Sequence, residues 1–319
     1  MPQLRFDPWE PEYGASDLID QETEAPSTVD PAVETSDWRA LTPAACPTPD
    51  LVFIDGVRNI DMHLIAEEGD VSAPAAFASL AVGSVHCAER SQIGEPVIRR
   101  RLILCGGIAG SPVTLHAGDS IMDYEPVSVA TTRPRDTIDR LQLEMLTAEG
   151  ELARQLASED GRIVCRDGPL TFYQEGGSSP VIGVVKRQVA TYLDASLMKT
   201  VYSMETGQRT PIFAFGNQAV DRYAWYLRIA KPGALEQALV GIVRCEVRTE
   251  WGLDRAVELA DLTASALPRY ASDSARDPRA PQNLYPVGAL EKDLRHRLGD
   301  RKIIRRALIE HMHKTGGLN

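Results

Sequence analysis

The sequence has no C-x-x-C cysteine pair, no apolar stretch near the roughly 18 residues of a membrane span, and no G-x-x-x-x-G-K-[ST] phosphate loop. Its five cysteines (Cys46, Cys87, Cys105, Cys165 and Cys245) are scattered, which argues against a disulfide framework or a structural zinc. Cys105, Cys165 and Cys245 lie inside apolar, strand-like runs, where a thiol acts as a small buried hydrophobe. Without a phosphate loop, ATP hydrolysis is not expected of this chain, and any motor activity has to come from a partner. The opening residues, Met-Pro-Gln-Leu-Arg-Phe-Asp-Pro, lack the basic start and apolar core of a signal peptide. A cytoplasmic protein with no membrane partner is therefore expected.

What is present is a 319-residue chain whose 43% hydrophobic content suffices for a sizeable core. The net charge of −11 argues at first against a nucleic-acid partner, but it is unevenly placed. Residues 1–50 carry −9 of it, leaving −2 for the remainder. Against that background two basic clusters stand out: Arg99-Arg100-Arg101, and Arg295-His296-Arg297 through Arg301-Lys302 to Arg305-Arg306. A phosphate backbone needs such local patches more than a global positive charge. Residues 1–45, rich in Pro, Glu, Asp, Ser and Thr, read as an extended or partly disordered arm whose Leu4, Phe6, Trp9, Tyr13 and Trp38 are free to dock. Residues 46–319 read as the folded body.

Within that body, short β-branched runs predict strands at 51–55, 60–66, 79–87 and 101–106. Arg58-Asn59 suggests a tight turn, making 51–66 a hairpin. A helix over 136–157 follows, then a strand at 162–166, a Gly-rich turn at 175–178, a strand at 181–186 and a helix near 190–199. Strands at 211–215, 222–229 and 239–248, a helix at 253–266 and a long amphipathic helix at 288–312 complete the pattern. A strand meander, a crossover helix and further strands predict an α/β fold with a mixed central sheet and flanking helices, in a ribonuclease H-like order.

Two of the strand-like runs end in Asp-Gly, at Asp55-Gly56 and Asp167-Gly168, and a third ends in Lys186. One Asp-Gly merely starts a turn. Two of them at the carboxyl edge of neighbouring strands, where α/β proteins place their chemistry, suggest a divalent metal between the carboxylates. Hard cations such as Mn²⁺ and Mg²⁺ want further oxygen ligands, which the helix 136–157 offers. Its apolar stripe is Leu141, Met145, Ala148, Leu152 and Leu156; Glu149 lies about 40° from the stripe's centre, whereas Glu144 and Glu151 flank it. Glu149 is the first candidate and Glu144 the second.

In this order the residues resemble the NurA nucleases: Ile-Asp55-Gly, a carboxylate helix, Cys-Arg-Asp167-Gly-Pro-Leu, Gly-Val-Val-Lys186, Trp225-Tyr-Leu-Arg228, Gly241-Ile-Val-Arg244-Cys-Glu246 and a late Tyr285-Pro286. The resemblance spans roughly residues 50–300. It implies a ribonuclease H-like fold and Mn²⁺- or Mg²⁺-dependent cleavage of DNA, with 5′-to-3′ exonuclease and single-strand endonuclease activity. It also implies a homodimer that docks on a HerA-type hexameric ATPase and acts in end resection or anti-phage defence. Carried over, Asp55, Asp167 and Glu149 (or Glu144) become metal-binding carboxylates, with Lys186 and Tyr285 beside them. The family's late His is absent; ungapped counting puts Asp293 there, with His296 one turn further on. Asp293 would bind metal through oxygen, not as an imidazole.

Two metals about 4 Å apart would activate water and relieve charge on the leaving oxygen. In this scheme Asp55 bridges them, Asp167 and Glu149 each hold one side, and Lys186 meets the scissile phosphate or neutralises the carboxylates. Arg228 and Arg244 are candidate backbone contacts. Two other classes compete: a non-catalytic ribonuclease H-like scaffold capping an ATPase ring, and a two-metal phosphoesterase acting on RNA or a small nucleotide.

Overall fold

The computed structural model describes residues 3–6, 28–44, 49–117, 120–159, 162–170, 178–186, 192–217, 220–233, 236–273, 277 and 279–314. Its strands are β1 (Gln3–Phe6), β2 (Thr28–Asp30), β3 (Leu51–Glu68), β4 (Val71–Cys87), β5 (Ser91–Ile93), β6 (Val97–Leu104), β7 (Val113–Ala117), β8 (Ser120–Ser128), β9 (Ile163–Asp167), β10 (Val181–Val185), β11 (Phe213–Asn217), β12 (Val220–Arg228) and β13 (Ile242–Arg248). The helices are α1 (Asp136–Ala157), α2 (Ala195–Ser203), α3 (Leu253–Ala266), α4 (Tyr285–Leu298) and α5 (Arg301–Lys314).

All the strands join one mixed sheet in the order β2-β11-β12-β13-β10-β9-β3-β4-β6-β8-β7, with β1 added to β3 and β5 to β4. At its centre, β6, β4 and β3 form an antiparallel meander, α1 crosses over, and β9 and β10 run parallel to β3. This is the ribonuclease H-like arrangement that the order of sequence elements predicts. No helix among the described residues is long and apolar enough to cross a membrane.

Helices cover both faces. On one, α1 buries Leu141, Met145, Ala148 and Leu156 against Val52, Ile54, Leu80, Val82 and Val164. On the other, α3 and α4 pack Leu259, Val287, Leu290 and Leu294 on Leu51, Phe53, Val57, Cys165, Ile182 and Val184. Side chains alternate between faces along each strand, so Asp55, like Phe53 and Val57, points toward α4, whereas Gly56 points toward α1. A bulge at Asp61 interrupts the register between Ile60 and Met62. The extra residue reverses the alternation, which lets Met62, Leu64 and Ala66 meet α5 on the face that Phe53 and Val57 present to α4.

Several expected boundaries are corrected. Asp55-Gly56 does not end a strand, and 51–66 is not a hairpin: β3 runs unbroken to Glu68, and the hairpin closes at Gly69-Asp70, with Gly69 at φ +59°. The physical reason for Gly56 is space, because a Cβ there would lie 2.6 Å from Glu149 Oε1 and 2.8 Å from Met145 Cγ. Gly168 has the other reason, a φ of +94° in the turn after β9. The single helix expected over 288–312 is two helices, broken at Gly299 (φ +96°). Asp300 then caps α5 by accepting from the amides of Lys302 and Ile303. The second helix starts later than expected, at Ala195, where Asp194 accepts from the amides of Ser196 and Leu197.

The described part of the amino-terminal arm lies against the sheet. β1 pairs with β3 and β2 with β11. Glu34 accepts from both terminal nitrogens of Arg209 at 2.9 Å, and the Trp38 indole donates to the Leu197 carbonyl. Trp9, Tyr13, Cys46 and most of the Gly-rich turn at 175–178 lie outside the described residues.

Gly56→Ala forces Met145 and the buried Glu149 to shift. It is expected to destabilise the fold by about 1–3 kcal/mol, read from urea unfolding midpoints.

Candidate metal centre

The parallel pairing of β3 with β9 runs from Leu51↔Ile163 to Ile54↔Arg166. Asp55 and Asp167 are the next residues on the two strands and therefore stand side by side. β10 continues the step, with Val184 opposite Asp167 and Lys186 just beyond the strand end. β9 and β10 stop at this level while β3 goes on, so the carboxylates sit at the carboxyl edge of a three-stranded parallel segment, where chemistry is commonly placed in α/β sheets.

The third carboxylate comes from α4. Gly83, paired with Asp55 across the β3–β4 ladder, lets the helix come close: a Cβ there would meet Leu294 and Leu290 at 3.0 and 3.1 Å. Glu291 then joins Asp55 and Asp167, with one oxygen from each of the three within 4.8 Å of the others.

A chain of polar contacts closes around these groups. Lys186 Nζ donates to Asp167 Oδ2 at 2.7 Å and to Asn283 Oδ1 at 2.8 Å. The Asn283 amide donates in turn to Asp277 at 2.5 Å. Arg279 bonds Asp277 on one side and grips both oxygens of Glu291, at 2.8 and 2.6 Å, on the other. Asp167 and Glu291 are thus each held by a cation. Asp55 is not: among the described residues its Oδ1 accepts only from the Gly56 amide at 2.8 Å, and its buried Oδ2 has no hydrogen-bond partner.

The electrostatics follow from this geometry. Burial, and then the charge of Asp167, push the Asp55 carboxyl well above the usual range, and Lys186 only partly opposes them. Burial also pushes Glu291 up, but the hydrogen bonds and charge of Arg279 outweigh it and hold Glu291 below its ordinary value. Three converging carboxylates with one buried, unpartnered oxygen make an all-oxygen donor set suited to a hard divalent cation.

Of the residues singled out in the sequence, Asp55, Asp167 and Lys186 are brought together. Glu149 is buried close by but on the α1 face, where Arg166 donates to its Oε2 through Nε (3.0 Å) and Nη2 (2.8 Å). Glu144 lies elsewhere on α1, ion-paired with Arg101 and Arg140. Asp293 pairs with Arg297, and His296 is exposed on α4. Tyr285 is the first residue of α4 and 39% exposed. Arg228 and Arg244 are not placed to meet a DNA backbone: both are buried, and Arg228 donates to the carbonyls of Tyr202, Ala238 and Val240.

Glu291, Arg279, Asn283 and Asp277 were not anticipated. A signal for Glu291 did exist: it stands four residues after Val287 and three before Leu294, about 40° and 60° from them around the helix, at the edge of the buried stripe. The ungapped count to Asp293 lands about 160° away from it, on nearly the opposite side of the helix. No comparable pattern marks Arg279 or Asn283, which lie in an irregular connection.

No family model matches the chain, nor does any curated protein. Among solved structures, the chain is similar to that of the NurA nuclease from Sulfolobus solfataricus, at 12% identity and a TM-score of 0.49, covering 87% of this chain and 88% of that one. At that level of similarity, function has to be argued from the site.

Because the folded state raises the Asp55 pKa, its contribution to stability in metal-free protein is greatest below the ordinary aspartate value near 3.8 and is lost as pH rises through the folded value. In EDTA at pH 8, Asp55→Asn is expected to melt about 2 °C or more above wild type, a shift of ~1 kcal/mol. The gap narrows as pH falls. A melting point below wild type under those conditions contradicts the assignment.

Proposed function

We propose that this chain is a metal-dependent nuclease that hydrolyses DNA phosphodiester bonds at the Asp55–Asp167–Glu291 site. The observation that carries the reading is the convergence of three carboxylates from β3, β9 and α4, one of which, Asp55, carries a buried oxygen with no hydrogen-bond partner among the described residues. The motif order shared with NurA nucleases supports DNA as substrate, Mn²⁺ or Mg²⁺ as the ion, and both 5′-to-3′ exonuclease and single-strand endonuclease activity. On the same basis we infer a homodimer working with a HerA-type hexameric ATPase in end resection or phage defence, with residues 46–319 as the nuclease body. The four described cysteines are buried and unpaired, in keeping with a reducing cytoplasm.

Asp55, Asp167 and Glu291 would hold the ion, which when bound supplies Lewis acidity to a phosphoryl oxygen and lowers the pKa of an attacking water. The chain's own residues do the positioning. Arg279 fixes the Glu291 carboxylate in one orientation, and Asn283 aims Lys186 at Asp167. With the carboxylates neutralised by the ion, the Lys186 ammonium would be free to pair with a non-bridging phosphate oxygen.

One observation favours the scaffold reading: Lys186, Arg279 and Arg166 already neutralise Asp167, Glu291 and Glu149, as in a purely structural charge cluster. Cleavage assays separate the two. With Mn²⁺ and labelled linear DNA, alone and with the ATPase, wild type should degrade the substrate, and Asp55→Ala and Asp167→Ala should not. Loss of groups that merely orient metal ligands costs 10–100-fold, so Glu291→Gln should cost roughly 100-fold or more. Asp293→Ala and His296→Ala should stay within about 3-fold of wild type. Inactive wild type under all conditions supports the scaffold, and a collapse in Asp293→Ala but not Glu291→Gln contradicts the assigned ligand.

A further inference from the structure

The net charge of −11 conceals one strongly positive surface. Residues 292–314 contain eight Lys or Arg and only three Asp or Glu, together with His296, His311 and His313. They form the carboxyl-terminal half of α4 and all of α5.

Their placement follows from how the two helices pack. Val287, Leu290, Leu294 and Leu298 of α4 face the sheet over Phe53 and Val57, and Ile304, Ala307, Leu308 and Met312 of α5 face it over Met62, Leu64 and Ala66. The basic residues are left outside: Lys292, Arg295, Arg297, Arg301, Lys302, Arg306 and Lys314 are all exposed. Lys292, Lys302 and Lys314 make no ion pair among the described residues. Because the Asp61 bulge keeps both helices on one face of β3, the basic outer surface continues from the metal centre along the strand. At its start, Arg295 stands one turn beyond Glu291.

Scale and charge then decide what fits. β3 advances roughly 35 Å from Asp55 to Ala66, about one helical turn of duplex DNA. A duplex presents a negative charge every ≈ 1.7 Å of axis. We propose that the α4–α5 ridge is the track on which the phosphate backbone of duplex DNA lies while one strand reaches the Asp55–Asp167–Glu291 site. The inference rests on the nuclease reading for its substrate, but it assigns a surface that the catalytic residues do not include. The partner is a regular polyanion, recognised by charge and not by base sequence.

The test uses the full-length protein in EDTA, so that binding is measured without cleavage. Anisotropy of a labelled 20-base-pair duplex is followed between about 50 and 200 mM salt, for wild type and the triple variant Lys292→Ala, Lys302→Ala, Lys314→Ala. The slope of log affinity against log salt is expected to fall by about 2 to 3, near 0.9 per lost phosphate contact. Melting temperature and Mn²⁺-dependent hydrolysis of bis-p-nitrophenyl phosphate, too short to touch the ridge, should match wild type. An unchanged slope overturns the proposal, as does unaltered DNA binding with lost capture of a HerA-type ATPase, which would make the ridge a protein-docking face. A reduced slope in a protein that hydrolyses nothing sustains the ridge and removes the nuclease reading. Hydrolysis with an unchanged slope does the reverse.

Discussion

The parallel pairing of β3 with β9 is the constraint on which the rest of this structure depends. Four residue pairs, Leu51↔Ile163 through Ile54↔Arg166, set Asp55 beside Asp167 and end there because β9 ends. A slip of one residue would turn one aspartate toward α1 and separate the pair. The register is held by burial on both faces: Val52 and Ile54 pack under α1, and Leu51 and Phe53 under the α3–α4 layer. Position and orientation of the candidate metal centre are thus consequences of core packing.

The same pairing creates an electrostatic problem that the fold solves unevenly. Two aspartates forced together repel each other, and burial strengthens the repulsion. Lys186 and Arg279 offset Asp167 and Glu291, and the Asp277–Asn283 link ties the two cations into one circuit. Asp55 is left with a buried oxygen that nothing in the described chain satisfies. Residual strain of this kind is what a bound cation relieves. On the other side of the sheet Glu149 and Arg166 neutralise each other, so the two buried acid–base groups that flank β9 differ in character. One is a closed pair, the other an open cluster.

Much of this was legible in the sequence, and the parts that were not have identifiable causes. α1 and α3 fall at their expected positions, since long amphipathic runs report their own period. The strand ends at Asp167 and Lys186 are legible because β-branched runs stop at turn residues. What misled was the dual use of Asp-Gly: Gly168 makes a turn, whereas Gly56 makes room for a helix inside an unbroken strand, and the dipeptide is the same in both. Glu149 lies near a buried stripe, as its position on the helix predicts, but the stripe faces the side of the sheet opposite Asp55. The face on which a helix packs depends on the crossover, not on its own periodicity. Glu291 carries the same stripe-edge signal on α4, which an ungapped count to Asp293 misses. Arg279 and Asn283 act through distant partners from an irregular segment, where no period exists to read.

The central claim is that carboxylates from β3, β9 and α4 form one ion site. Mn²⁺ binding followed by electron paramagnetic resonance, in wild type, Glu291→Gln and Asp293→Asn, tests it directly. The account predicts saturable binding in wild type and in Asp293→Asn, with a loss of about 10-fold or more in affinity in Glu291→Gln. Wild-type affinity in Glu291→Gln, or no bound Mn²⁺ in wild type, would contradict it.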